Sequence, residues 1–281
     1  MVFLRHFLDG QPGRQRLLVT LFGLLQAVDA STDVSFEASV DLDTGRLALL
    51  NSPGWRVRLE GLPCSYPAHL LSHTAQPRAY FLLPEDVLLL GCLQPMQKLH
   101  PDLDGVLEQI AAAVPEVKFV FVCDMTPSLT QRFLERLAKR APQAHARVLL
   151  LARMERQDFI SLAGCLDLLL DPPYFGSGVS FFEVAHTGTP LVTLEGAFLR
   201  NRLVAAAYRL IELDDPPVAN DLEQLGQLAA TLLLDPARRQ RLRYELKAKA
   251  LTRLYDRQEG VRGFEAFVRE AVARQARLPS T

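Results

Sequence analysis

The 281-residue sequence has no real excess of charge of either sign, with 31 basic against 32 acidic side chains. Binding along a phosphate backbone depends on a clear basic surplus, so no nucleic acid partner is expected. Cysteine is scarce. Cys64, Cys92, Cys123 and Cys165 contain no CxxC pair, which speaks against a disulfide framework or a zinc site and for buried thiols in a reducing, cytoplasmic setting. Long hydrophobic runs are also missing. The stretch Leu17 to Val28 is interrupted by Thr20, Gly23 and Gln26, and spanning a bilayer takes about 20 apolar residues, so no membrane span is expected. Asp9 and the Gly-Gln-Pro-Gly turn ahead of that stretch fit a cleaved export signal badly. No Gly-x-Ser-x-Gly elbow and no Walker loop occur. What the sequence does have is 49% hydrophobic residues, ample for a large core.

Residues 14 to 28 place Leu17, Leu18, Leu21, Leu24, Leu25 and Val28 on one face of a helix. Val34 to Leu50 alternates as a hairpin around Asp43-Thr44-Gly45. Residues 51 to 80, rich in Pro, Ser and Gly, suggest a connection. Beyond Val87 the pattern changes to short apolar runs separated by helical segments. The runs are Val87–Gly91, Lys118–Cys123, Val148–Ala152, Leu166–Leu170 and Pro190–Leu194; the helices are 102–114, 128–140, 157–165 and 180–187. Strands that are apolar on both faces and alternate with helices predict an α/β fold, a Rossmann-like, doubly wound parallel sheet. The expected division is a reduced α+β part over 1–60, and over 61–281 a Rossmann-like lobe ending in helices. The charged segment from Pro236 to Arg257 suggests a solvated helix face.

In such sheets ligands bind at the carboxyl ends of the strands, where strand order reverses. Three loops there attract attention. After the fourth strand comes Asp171-Pro-Pro-Tyr-Phe-Gly-Ser-Gly-Val-Ser-Phe-Phe-Glu183. Gly176 and Gly178 allow close backbone approach, Val179 and Ser180 open a helix whose free N–H groups suit an anion, and Glu183 one turn on could accept from ribose hydroxyls. After the first strand, Lys98 stands near a helix start and suits a phosphate clamp. After the third, Arg153-Met154-Glu155-Arg156 adds two cations. Together these favour a nucleoside diphosphate. Asp102-Leu-Asp104 and Asp41-Leu-Asp43 have the DxD form of a manganese site, but the first opens a helix and the second precedes a turn, so no metal is expected. His186 suggests a packing residue.

The 171–183 segment, with Gly188-Thr-Pro-Leu-Val-Thr-Leu-Glu-Gly196 and Phe198-Leu-Arg-Asn-Arg202, resembles the C-terminal lobe of bacterial O-GlcNAc-transferase-like, tetratricopeptide-type glycosyltransferases. Gln94 to Leu103, Gln157-Asp-Phe-Ile-Ser-Leu-Ala163 and Leu254-Tyr-Asp256 extend the likeness, in order, across residues 58 to 272. The resemblance implies a GT-B lobe binding a UDP-sugar, UDP-GlcNAc or a UDP-hexose, without metal or other cofactor, and an inverting transfer to a protein or other hydroxyl acceptor. It implies that Lys98 holds the diphosphate and that the backbone at Arg153 and Met154 meets uracil, with Arg156 nearby. Gly178, Val179 and Ser180 would cradle the phosphates, and Glu183 would take the ribose. Val179 stands where the family has Asn or Thr, and Phe181 where it has a small or hydroxylated residue, which would add bulk at the helix mouth. About 60 residues precede the matched region and show no tetratricopeptide pattern. These departures support an alternative, a catalytically inactive homologue serving as an assembly subunit. A third reading is a fragment of a larger enzyme, or an enzyme working with a separate acceptor-binding partner protein.

Overall fold

The computed structural model describes residues 66–196 and 199–256, three upstream strands at 36–40, 47–48 and 55–59, and residues 262 and 269. The chain divides into two compact units, Met1–Cys64 with Gln258–Thr281, and Ser65–Arg257. In the first unit, β1 (Phe36–Val40) lies between β2 (Leu47–Ala48) and β3 (Trp55–Leu59) in an antiparallel sheet. The hairpin is therefore present. The stretch read as connection contributes β3, paired with β1 from Phe36↔Leu59 to Val40↔Trp55. Its period-two pattern, Trp55, Val57 and Leu59, is masked in the sequence by the surrounding Pro, Ser and Gly. The helix expected over 14–28 lies outside the described residues, as does Asp41-Leu-Asp43.

The second unit is built on a six-stranded parallel sheet in the order β6-β5-β4-β7-β8-β9. Its strands are β4 (Leu88–Gly91), β5 (Val117–Val122), β6 (Val148–Leu151), β7 (Leu168–Leu170), β8 (Leu191–Leu194) and β9 (Val218–Ala219). The chain starts at β4, works outward to β6, then crosses to β7 and works outward the other way. Order therefore reverses between β4 and β7. The central strands are buried on both faces, with Leu89, Val120, Phe121, Leu168 and Val192 at most 0% exposed, which is why they read as unbroken apolar runs.

Helices α1 (Asp102–Ala113), α2 (Pro127–Arg140), α3 (Pro142–His145), α4 (Arg156–Cys165), α5 (Val179–Ala185), α6 (Leu203–Leu210), α7 (Leu222–Leu234) and α8 (Pro236–Arg253) accompany the sheet. Asp102 and Asp104 occupy the first turn of α1, and the buried Asp104 is gripped by Arg136, with both of its oxygens bonded at 2.9 to 3.2 Å. That use of the DxD form is structural. The charged segment is α8, and much of its charge caps other helices. Arg239 donates to the Leu232 and Leu233 carbonyls at the end of α7, and Arg243 to Gly164 and Leu166 at the end of α4 (3.2 and 2.6 Å). Cations at carbonyl-rich helix ends are favourable, by roughly 0.3–1 kcal/mol each where exposed. Only Leu242, Leu246 and Ala250 of α8 are buried apolar positions.

Candidate functional site

The loops after β4 and β7 flank the point of strand reversal, where open α/β sheets bind their ligands. Lys98, in a 3-10 turn over Met96–Lys98, reaches across it. Its Nζ donates to Gln94 Oε1 (2.9 Å) and to the Gly176 carbonyl (3.1 Å), and lies 4.5 Å from the centre of the Phe175 ring. Gln94 Nε2 in turn donates to Ser180 Oγ at 2.7 Å on the first turn of α5. Lys98, Gly176 and Ser180, chosen from loops far apart in sequence, thus form one cluster with Gln94 as the bridge. Burial lowers the Lys98 pKa from its ordinary value, while nearby Asp171 opposes that shift. An anion placed there would favour the charged ammonium in the same way.

Asp171 organises the loop from beneath. Its Oδ1 accepts from Ser177 N (2.6 Å) and Ser177 Oγ (2.7 Å), and its Oδ2 accepts from Thr193 Oγ1 (2.8 Å). The carboxyl is 2% exposed as a residue, and burial raises its pKa against the pull of those donors. A Cβ on Gly176 would stand 2.4 Å from Asp171 Oδ2. Close approach to this carboxylate, rather than to a ligand, is what requires glycine there. A Cβ on Gly178 would meet only Leu203 Cδ1 at 3.8 Å, an ordinary contact. Gly178 is the N-cap of α5, with φ −114°.

The same loop holds Tyr174 at φ 68°, a left-handed conformation that costs a bulky residue about 1–2 kcal/mol. The surroundings hold it there. Tyr174 OH donates to Asp102 Oδ2 at 2.7 Å, its carbonyl accepts from Arg200 Nε at 2.9 Å, and its ring meets His100 edge-on at 4.8 Å. Gly176 N donates to the Arg200 carbonyl. The turn places Phe175 against Lys98.

A second cluster joins Glu183 and Arg156. Between them is a residue the sequence reading missed, Tyr66. Its hydroxyl donates to Glu183 Oε1 at 3.0 Å and accepts from Arg156 Nη1 at 3.3 Å. Arg153 and Met154 precede α4 in the same loop, and among the described residues no hydrogen bond ties either to the rest of the site. Val179 is 63% exposed at the start of α5. Phe181 corrects an expectation: it is 1% exposed, packed edge-on against Phe182 and Tyr208 at 5.8 and 5.6 Å, and adds no bulk at the helix mouth. Position three of a helix points inward here because α5 buries Phe181, Phe182, Val184 and Ala185 against the sheet. His186 packs on His73 and Tyr255, with ring centres 5.1 and 6.4 Å away. Among the described residues Cys92, Cys123 and Cys165 are free thiols, and no helix is long and apolar enough to cross a membrane.

Gln94, Asp171 and Tyr66 belong to the candidate site without having been singled out in the sequence. The first two stand inside segments the sequence reading had already singled out, and Tyr66 carried no local signal.

The second unit is a Rossmann-like lobe of the kind found in the C-terminal half of GT-B folds, with a basic loop and a glycine loop facing each other across the switch point. Comparison with known proteins narrows this. The chain is similar to O-GlcNAc transferases: it is 24% identical over 189 residues to a probable UDP-N-acetylglucosamine–peptide N-acetylglucosaminyltransferase of Arabidopsis thaliana, across 67% of this chain and 19% of that one. Among solved structures, a mutant O-GlcNAc transferase of Thermobaculum terrenum matches with a TM-score of 0.60 at 24% identity, over 76% of this chain and 39% of that one. A sucrose-phosphate synthase of Thermosynechococcus elongatus matches with a TM-score of 0.56 at 17% identity, over 75% and 52%. These structural matches establish the fold. The chain thus spans about a fifth of the length of the curated relative it matches. No family model matches the sequence.

Proposed function

We propose that the Ser65–Arg257 unit binds a UDP-sugar and that the protein transfers the sugar, without a metal, to a hydroxyl of a protein or other acceptor. The observation that carries this is the Lys98–Gln94–Ser180 chain across the switch point, closed by the Lys98 bond to the Gly176 carbonyl. In this reading Lys98 faces the diphosphate, and the backbone N–H groups at Gly178, Val179 and Ser180 meet its oxygens. Glu183 takes ribose hydroxyls. Arg156 and the backbone of Arg153 and Met154 stand on the nucleoside side. As the bond between the anomeric carbon and the phosphate oxygen breaks, negative charge grows on the departing diphosphate. A fixed ammonium and N–H groups stabilise that charge without reorganising, an effect on the order of 3 kcal/mol per well-placed donor in a dry site. Inversion at the anomeric carbon and the UDP-GlcNAc or UDP-hexose donor follow from the resemblance, and a cytoplasmic location from the sparse, unpaired cysteines.

A second reading, a catalytically inactive homologue acting as an assembly subunit, is favoured by one observation: the exposed side chain at the helix start is the apolar Val179, which offers no hydrogen bond to a phosphate. Calorimetric titration of the full chain with UDP and UDP-GlcNAc separates the two. Micromolar binding that weakens about 30-fold in Lys98→Ala, since an ammonium facing a diphosphate contributes about 2 kcal/mol, and about tenfold in Glu183→Ala is expected. No binding at millimolar nucleotide would overturn the donor-site reading and leave the assembly subunit.

A further inference from the structure

Tyr66 is the first described residue of the Ser65–Arg257 unit, and it reaches 117 positions along the chain to Glu183. The residue is 8% exposed. Its backbone is held as firmly as its side chain. The Tyr66 carbonyl accepts from Asp256 N at 3.1 Å, Asp256 Oδ1 accepts from Ala68 N at 3.2 Å, and neighbouring Tyr255 donates its hydroxyl to the Phe182 carbonyl at 2.8 Å. The two ends of the unit therefore meet on α5, the helix that carries Ser180 and Glu183. A phenol has one proton to donate. Because the Arg156 guanidinium can only donate, its bond to the phenol oxygen turns that proton toward Glu183. Burial holds the phenol pKa above its ordinary value, so the proton stays in place.

We propose that Tyr66 is a positioning residue for ribose recognition. It fixes one oxygen of the Glu183 carboxylate through a directed Arg156–Tyr66–Glu183 chain and leaves the other oxygen oriented for a sugar hydroxyl. This rests on the reading of Glu183 as the ribose contact. Tyr66 touches no ligand itself and acts through Glu183 alone.

The test compares UDP with 2′,3′-dideoxy-UDP, which keeps uracil and diphosphate and lacks both ring hydroxyls, by calorimetry on the full chain. The wild type is expected to prefer UDP by about tenfold, the scale of one charge-assisted hydrogen bond. Tyr66→Phe removes a single oxygen from a packed ring. It should weaken UDP about fivefold and leave the dideoxy compound unchanged, so that the preference falls to about twofold. In a Glu183→Gln background, Tyr66→Phe should have no further effect on the ratio, because residues acting as one unit are not additive. A preference that survives Tyr66→Phe overturns the proposal, as does an equal loss for both nucleotides, which marks a structural role only. If Tyr66→Phe does not fold, Arg156→Met probes the chain from the other end and should halve the ratio; an unchanged ratio overturns the proposal. A wild type that binds neither nucleotide overturns the donor-site reading as well, and the two failures are thereby distinguished.

Discussion

The loop after β7 and the loop after β6 were both expected to face the nucleotide, and they are built in opposite ways. Residues 171–178 are held from every side: by Asp171 below, Lys98 and Asp102 across the crevice, and Arg200 at the outer turn. Residues 152–155 have an exposed Arg153 and no side-chain bond to the site among the described residues; only Arg156, at the start of α4, reaches another site residue. The difference teaches where pre-organisation is placed. Charge stabilisation requires donors fixed before the ligand arrives, since reorganising them would cost what they return. In the proposed reading the loop after β6 meets a planar base through its backbone, which tolerates a looser loop.

The sharpest way to break the comparison is Asp171→Ala. Removing that carboxylate strands the Ser177 and Thr193 donors in a buried place, and an expected loss of about 3 kcal/mol should appear as a lowered urea midpoint. UDP binding should fall with it, since among the described residues no other side chain bonds Ser177. A stability within about 0.5 kcal/mol of the wild type would show that the loop does not depend on its floor.

Next in size is acid sensitivity at the far end of α5. Burial first, and then the neighbouring His73 and Lys247, lower the His186 pKa to about 4, against an opposing pull from the Glu183 backbone. An unfolded histidine titrates near 6.5. Between these values the unfolded chain binds the extra proton, so stability is full above about pH 6.5 and is lost as pH falls toward 4. With the ring only half-buried, the expected loss is about 1 kcal/mol. Thermal midpoints measured from pH 7 to 4.5 should fall less steeply in His186→Phe, which keeps the packing on Tyr255 and removes the titration. Parallel curves for the two proteins would assign the acid loss to other groups.

The smallest effect is expected in the loose loop. Arg153→Ala should change stability by less than about 0.5 kcal/mol and UDP affinity by less than about threefold. A loss comparable to that in Lys98→Ala would mean that the loop after β6 closes on the ligand and that the two loops are alike once occupied.

How much could be read before folding differs between these regions for a physical reason. Strands β4 to β8 were legible because a parallel sheet covered on both faces needs apolar runs such as Phe119 to Val122. β9 was not, because it is two residues long behind Pro216-Pro217 and has too little pattern to show. Gly176 was noticed as a glycine, but its reason is Asp171 Oδ2 pressing where a Cβ would be, a contact that no spacing encodes. Phe181 was misplaced at the helix mouth because a seven-residue helix leaves its facing undetermined until the sheet it covers is known.

By itself the sequence determined the alternation of buried strands and helices, and with it the doubly wound sheet, the reversal of strand order and the loops that border it. Local apolar pattern and chain connectivity suffice for that, since burial of backbone-paired strands is enforced residue by residue. Only the tertiary structure decided which polar side chains meet there. Lys98 finds Gln94 and Gly176, Asp171 finds Thr193, and Tyr66 finds Glu183 because hydrogen bonds are set by separations of about 3 Å in space. The chain places those partners together only after the core has closed.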